Sequence, residues 1–500
     1  MLKNSKKPVL VIAGPGAGKT HDMVDRIMEA IPRLEPYRIL AAITYTNAAT
    51  ANIKERLAKR ISIPPNVFIG TNHSFCYRFI FKPFGGLVGK LPKELVFMDI
   101  DYGTKTKGMD HVRWIQKINS LKKNNLAKGR YDYDQILSLS AKILEDSKQV
   151  RTIVCNRLQY LFIDEFQDAN NSQLKIFQKI MKGGKTDIYA VGDPEQYIFG
   201  WSSKIKSFDK IAINKFKDNA KVETNDKNQR SCDEIVRFIN QFHCEIDQVS
   251  EKGSDTRGGV YFISGTDLDN IIRSYRDITK ILEGRNLSVV KYYLSYANKT
   301  LEKVAGKWGL IPVSNESTKA LRLIDESLKV ISSVIGINGK QICEIYKLDR
   351  IGLRKKGLHL LKAIREGKIR NGEDVEVFIK NNLRLRVSRG LPRNKVEDKL
   401  KRMSCYESID DTICERDMYS TIHKAKGLQA DAVLVVAENK GQLEKWLMTD
   451  KKARCKEKTD RCRIGYVAFS RAKTILCIAC LGKIDKSLEQ KLERLGVSKK

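Results

Sequence analysis

The sequence lacks any run of about 18 apolar residues, so no membrane-spanning helix is expected. It also lacks the apolar stretch and small-residue cleavage site of a secretory leader: Met1 to Pro8 passes straight into an apolar segment. A cytoplasmic location follows as the expectation. Acidic residues are few beside basic ones, 59 against 92, for a formal charge of +33. A net charge of that size points to polyanionic partners, nucleic acid first, with an acidic protein as a further candidate. The 11 cysteines show no framework spacing. Cys477 and Cys480 form a CxxC, but inside Ile475-Leu476-Cys477-Ile478-Ala479-Cys480, which reads as a core strand. No second CxxC stands at zinc-ribbon spacing, so no cysteine metal site is expected. Internal repeats and low-complexity segments are missing too.

What is present begins at Val9-Leu10-Val11-Ile12-Ala13-Gly14-Pro15-Gly16-Ala17-Gly18-Lys19-Thr20. An apolar strand runs into a glycine-rich turn, then Lys-Thr, then an amphipathic helix through roughly residue 30. Glycines let successive backbone N–H groups converge on a phosphate at a helix N-terminus. Gly14, Gly16, Ala17 and Gly18 would cradle phosphates, Lys19 would reach the β- and γ-phosphates, and the Thr20 hydroxyl would hold Mg²⁺. Ala13 stands where the strict pattern has glycine.

Further apolar strands end in polar residues, the arrangement by which open α/β sheets bind ligands. Ile39–Thr46 carries Tyr45 at its polar end, and Val67–Thr71 leads into His73. Leu161-Phe162-Ile163-Asp164-Glu165 ends in two carboxylates, costly to bury unless a metal or hydrogen bonds compensate. Asp164 suits Mg²⁺ and Glu165 suits polarisation of an attacking water. Ile188–Gly192 leads into Asp193-Pro194-Glu195-Gln196-Tyr197-Ile198-Phe199-Gly200-Trp201. Gln196 can bond a γ-phosphate or the water, and Tyr197 and Trp201 can offer ring faces to bases. Residues 75–159 read as a lysine-rich helical insertion, and 336–402 as short-helical and strongly basic.

Eight strings, AGPGAGKT, TYTNAAT, GTNHSF, FIDEFQD, VGDPEQYIFGW, NQRS, TIHKAKGLQAD and YVAFSRAK, occur in this order between residues 13 and 473. Together they resemble the motifs of the UvrD/Rep/PcrA branch of superfamily 1 DNA helicases. The resemblance implies an α/β protein of two RecA-like P-loop NTPase cores, with ATP in the cleft between them and small helical insertions. It divides the chain into a first core at 1–74 and 160–215, a helical insertion at 75–159, a second core at 216–335 and 406–500, and a small basic helical insertion at 336–405. ATP and Mg²⁺ would be held by Lys19, Thr20 and Asp164, with Glu165 as catalytic base. Gln196, Arg230 and Arg471 would reach the γ-phosphate, the two arginines as fingers from the second core. Gln429, where the family has glutamate, would bond the ribose. Tyr45, His73, Trp201 and His423 would line a single-strand DNA channel or its link to the ATP site.

Other departures from the family pattern are Asn72 for an aromatic, Ser202 for an arginine, and no glutamine segment upstream of the phosphate loop. The short insertions resemble the helicase subunit of Gabija, a bacterial anti-phage system whose partner is an ATPase with a nuclease domain. No nuclease-like carboxylate–lysine cluster follows the last motif. The leading expectation is ATP-driven 3′→5′ translocation on single-stranded DNA and unwinding of tailed duplexes, in defence or repair. The alternative is a DNA-stimulated ATPase subunit that senses DNA ends and activates a partner nuclease. A P-loop metabolic kinase explains the phosphate loop but neither the later arginine motifs nor the charge.

Overall fold

The computed structural model describes residues 7–88, 96–97, 110–198, 211–283, 289–313, 319–335, 339–386, 400, 417–457 and 460–500. The chain divides into two compact units. The first comprises Met1–Gly258 with Gly441–Ser470, and the second Gly259–Lys440 with Arg471–Lys500.

The first unit is built on a six-stranded sheet of β1 (Val9–Ala13), β2 (Ile39–Thr44), β3 (Val67–Thr71), β6 (Leu158–Ile163), β7 (Asp187–Gly192) and β8 (Lys221–Asn225). Its order is β3-β2-β6-β7-β1-β8, and every pairing is parallel. Two-residue strands complete the unit as parallel pairs: β4 (Val96–Phe97) with β5 (Arg130–Tyr131), and β9 (Lys227–Asn228) with β10 (Val249–Ser250). Side chains alternate between the faces of a strand. Leu10, Ile12, Ala41, Ile43, Leu161 and Ile163 therefore enter one apolar core, and Val9, Val11, Leu40, Ala42, Tyr160 and Phe162 the other. Burial on both faces explains why these strands read as continuous apolar runs.

The insertion after β3 contains helices His111–Ala127, Tyr133–Asp146 and Lys148–Arg157. Ile136, Leu137, Ile143 and Leu144 share the core of Ile12 and Ile43, so this insertion is fused to one face of the sheet.

The second unit holds a seven-stranded, wholly parallel sheet. Its strands are β11 (Gly259–Ile263), β12 (Lys291–Ser295), β13 (Ile311–Pro312), β14 (Asp417–Thr421), β15 (Ala430–Ala437), β16 (Ala472–Cys480) and β17 (Ser498–Lys499). They run β13-β14-β12-β15-β16-β11-β17. Both halves of the expected CxxC are buried in β16. A separate helical core joins Lys319–Ile335, Arg350–Arg365 and Gly372–Asn381 through Val330, Val334, Leu353, Leu360, Val375 and Ile379.

The α/β class of two RecA-like parallel sheets with helical insertions is thus the fold adopted. The boundaries differ from those read in the sequence. Residues 216–258 and 441–470, assigned there to the second core, pack in the first unit. The basic insertion shares its core with a helix that begins at residue 319 rather than 336. Among the described residues no helix is long and apolar enough to cross a membrane.

Within the returning segment 441–470 the helices Lys440–Trp446 and Arg461–Phe469 pack closely. A Cβ added at Gly465 would stand 2.6 Å from Trp446 Cβ and 2.8 Å from Trp446 Cα. Gly465→Ala should therefore destabilise the first unit by about 1–3 kcal/mol through overpacking. The expected readout is a lower urea midpoint with an unchanged far-UV circular dichroism spectrum.

Candidate nucleotide site

The turn after β1 is shaped for a phosphate. Gly16 and Gly18 take φ values of 76° and 72°, open to glycine at little cost. Gly18 caps the helix Lys19–Ala30, which places Lys19 and Thr20 in its first turn. The Lys19 ammonium donates to the carbonyls of Ala13 and Gly14, each at 3.1 Å. Asn225 Nδ2 donates to Ala17 O at 3.1 Å, Asn228 Nδ2 to Pro15 O at 2.9 Å, and the Gln229 N–H to Gly16 O at 2.9 Å. A Cβ at Gly14 would meet the Gln248 side chain, and one at Gly16 would meet Asn228 Oδ1 and Arg230 Cβ at 2.5 and 2.7 Å. The loop is thus walled closely by the 225–248 segment.

Two carboxylates follow β6. Asp164 is buried, and its Oδ1 accepts the Glu165 N–H at 2.9 Å. Glu165 adopts the left-handed region at φ 49°, rare and costly for a residue with a Cβ. The Asp168 N–H bonds the Glu165 carbonyl at 2.9 Å, and Gln167 Nε2 donates to the Glu165 side chain. Burial lowers the Lys19 pKa from its ordinary value. The charges of Glu165, Asp193 and Asp164 oppose that effect, whereas Arg230 reinforces it. These groups therefore share one electrostatic environment. A threonine hydroxyl with a carboxylate is the hard-oxygen donor set that Mg²⁺ takes, so the residues fit the cation and phosphates that the sequence implies.

A buried polar cluster fixes the turn after β7. Asp193 has no exposed surface. Its carboxylate accepts from the Glu195 N–H at 2.9 Å, Gln196 Nε2 at 2.7 Å and Tyr466 OH at 3.3 Å, and pairs with His243 Nε2 at 3.1 Å. Burial pushes the Asp193 pKa up, but His243, Lys19 and the Gln196 bond outweigh it and hold the value at about 2. For His243, burial lowers the pKa and Asp193 raises it by more, so the net shift is upward. Glu195 pairs with Arg454 Nη2 at 2.6 Å and Arg463 Nε at 3.6 Å, all three side chains being buried. Burial alone would raise the Glu195 pKa, and the two guanidinium groups bring it below the ordinary value.

The remaining site residues are distributed as follows. Arg230 lies in the first unit, where its Nη1 donates to Ser470 O at 3.0 Å. This corrects the expectation that the second core carries it. Tyr45 and His73 follow the adjacent strands β2 and β3, whose last residues Thr44 and Thr71 are in register. Both feel the Asp134 charge: burial first, then Asp168, Tyr197 and Asp134, raises the Tyr45 pKa to about 12, while burial lowers that of His73 against Asp134. A cavity of about 10 Å³, lined by Tyr45, Asn72, Asp164 and Glu165, adjoins this end of the sheet. Arg471, His423 and Gln429 belong to the second unit. Buried Arg471 donates to Leu428 O at 3.3 Å, beside exposed Gln429. His423 packs edge-to-face on Tyr296 at 5.7 Å. Trp201 and Ser202 lie outside the described residues. Gln248, His243, Arg454 and Arg463 were not anticipated as site residues, since no motif spacing marks a lone residue whose partners are remote in sequence; Asn228 opens the NQRS string, which gave it no role of its own.

Comparison with known proteins agrees with this geometry. Residues 1–107 and 100–216 match the UvrD/REP helicase N-terminal domain. The chain is 26% identical over 277 residues to the ATP-dependent DNA helicase Rep of Buchnera aphidicola, covering 47% of this chain and 42% of that protein. It is 25% identical over 279 residues to the Gabija protein GajB of Bacillus cereus, covering 55% and 54%. It is also 26% identical over 258 residues to the ATP-dependent DNA helicase PcrA of Staphylococcus aureus, covering 42% and 35%. The chain thus spans about half the length, or less, of these relatives. The chain is thus similar, over these stretches, to UvrD/Rep/PcrA helicases and to GajB.

The Asp193–His243 pair gives a pH prediction. His243 is raised in the folded state, so its contribution is complete below its unfolded pKa of about 6.5 and disappears as pH rises through the folded value. Asp193 is depressed, so its contribution is complete above about 3.9 and is lost as pH falls towards about 2. His243→Gln leaves a buried carboxylate without its cation and should cost about 3–5 kcal/mol near pH 6. Urea midpoints at about pH 6 and pH 9 check this. The wild type should lose stability between them, and the variant should lose much less.

Proposed function

We propose that the chain is a DNA-stimulated ATP hydrolase that moves 3′→5′ on single-stranded DNA and opens tailed duplexes. The observation that carries the reading is the convergence in one unit of Lys19, Asp164 and Glu165 on a glycine loop held open at φ 76° and 72°. In this reading the loop amides and Lys19 bind phosphates, and Thr20 and Asp164 hold Mg²⁺, which neutralises developing phosphate charge. Glu165 takes the proton of the attacking water. Gln196 and Arg230 engage the γ-phosphate, and Arg471 acts as an arginine finger. Gln429 bonds the ribose. Tyr45, His73, Trp201 and His423 contact the strand. A cytoplasmic location belongs to the same proposal.

A second reading has support from the short insertions and the similarity to GajB: an ATPase subunit that senses DNA ends and activates a nuclease or ATPase partner of Gabija type. Strand displacement by the purified chain alone separates the two. Displacement without a partner favours the helicase. DNA-stimulated hydrolysis without displacement favours the sensor.

The central test measures ATP turnover with and without single-stranded DNA. Lys19→Ala and Glu165→Gln should both abolish turnover, and Glu165→Gln should still bind a fluorescent ATP analogue. Arg471→Ala should lower DNA-stimulated turnover by roughly 10³–10⁵ with nucleotide affinity held within about tenfold. A Glu165→Gln enzyme with wild-type turnover would remove the assigned base. Single-strand affinity should also fall steeply with salt, with a log–log slope of about −0.7 per phosphate contact. A flat salt profile counts against the DNA assignment.

A further inference from the structure

Nine described cysteines stand outside any disulfide, and two of them touch. The Sγ atoms of Cys244 and Cys455 stand 3.7 Å apart although the residues are 211 positions apart in the chain. Cys244 lies half-buried just after the helix Asp233–Asn240, and Cys455 is exposed on the helix Lys451–Lys456. Cys244 Sγ also donates to Lys451 O at 3.8 Å, so this turn and the Lys451–Lys456 helix approach at two points. Both cysteines belong to the first unit.

We propose that Cys244 and Cys455 form a thiol-oxidation site, closed by peroxide into an intramolecular disulfide. The exposed sulfur is the one that an oxidant reaches. Cys244 is the poorer first nucleophile, because burial and then the Glu195 carboxylate push its thiol pKa up. In the first step the Cys455 thiolate attacks hydrogen peroxide. An S–O bond forms, the O–O bond breaks, and hydroxide leaves, giving a sulfenic acid. In the second step Cys244 gives up its proton and its sulfur attacks the Cys455 sulfur. The S–S bond forms, the S–O bond breaks, and the departing hydroxide leaves with a proton as water. Overall two thiols are oxidised by two electrons and one peroxide is reduced to two waters. The bond requires the sulfurs to close from 3.7 Å to about 2.05 Å.

The bond would fasten the helix that carries Arg454 to the turn that carries His243. These residues are the partners of Glu195 and Asp193. Oxidation would therefore clamp the returning segment 441–470 onto the first unit and leave its fold unchanged.

The experiment treats the full chain with hydrogen peroxide, alkylates the remaining thiols with iodoacetamide, and maps non-reduced peptides by mass spectrometry. The expected product is a Cys244–Cys455 cross-linked peptide that dithiothreitol abolishes. Its formation should raise the thermal midpoint of the wild type by about 5 °C or more, and the same treatment should leave the midpoint of Cys455→Ser unmoved. Cys455 is exposed, so that variant keeps the fold and the comparison stands even if Cys244→Ser does not fold. Recovery of Cys455 as a sulfinic or sulfonic acid with Cys244 still alkylated overturns the proposal. So does a disulfide between two copies of the chain, or a cross-link that does not raise the midpoint.

Discussion

A carboxylate without solvent access, Asp193, is the constraint on which the first unit depends. An isolated ionised group in a protein interior costs many kilocalories per mole, so it persists only where partners surround it. Here they come from three stretches of chain: Glu195 and Gln196 beside it, His243 just after the helix Asp233–Asn240, and Tyr466 near the C-terminus. Glu195 repeats the pattern with Arg454 and Arg463. Two buried anions are thus answered by three cationic side chains. The arrangement is weak evidence for net stability, since well-packed apolar groups often serve as well. Its effect is geometric. It fixes the turn that carries Gln196 and draws the helical segment 441–470 onto a unit whose six-stranded sheet is complete by residue 225.

The grouping of Lys19, Asp164 and Glu165 in the candidate nucleotide site was legible because the chemistry expected there demands contiguous residues. A loop that wraps a phosphate needs glycines followed by Lys-Thr, and a carboxylate pair at a buried strand end has few other uses. The apolar strands β1, β2, β6 and β7 were legible for a related reason, being covered on both faces. Strand β8 was not. It is an edge strand whose residues are exposed or half-exposed, so Lys221–Asn225 has no apolar run to mark it. The early boundary at 216 follows from that, and with it the assignment of Arg230 to the wrong unit.

Bracing residues were illegible for a different reason. Asn228 and Gln248 reach the phosphate loop through side-chain amides; Asn228 at least opens the NQRS string, whereas Gln248 reads in sequence as an ordinary surface polar residue. Arg454 and Arg463 sit among many other cations in a chain with 92 of them. Nothing short of their burial distinguishes them from solvated charge. Tertiary placement gives such residues their role, and no local pattern encodes it.

The return of 441–470 to the first unit has a consequence for how the protein is made. Glu195 leaves the ribosome 259 residues before Arg454, its guanidinium partner. At synthesis rates of roughly 5–20 residues per second, the interval is about 13–50 s. Throughout it, Glu195 in the nascent first unit lacks the two guanidinium groups that pair with it. Its turn must stay hydrated, so the sheet closes around it only when the last tenth of the chain arrives. The order of translation therefore makes the second sheet's early strands emerge while the first unit is still incomplete.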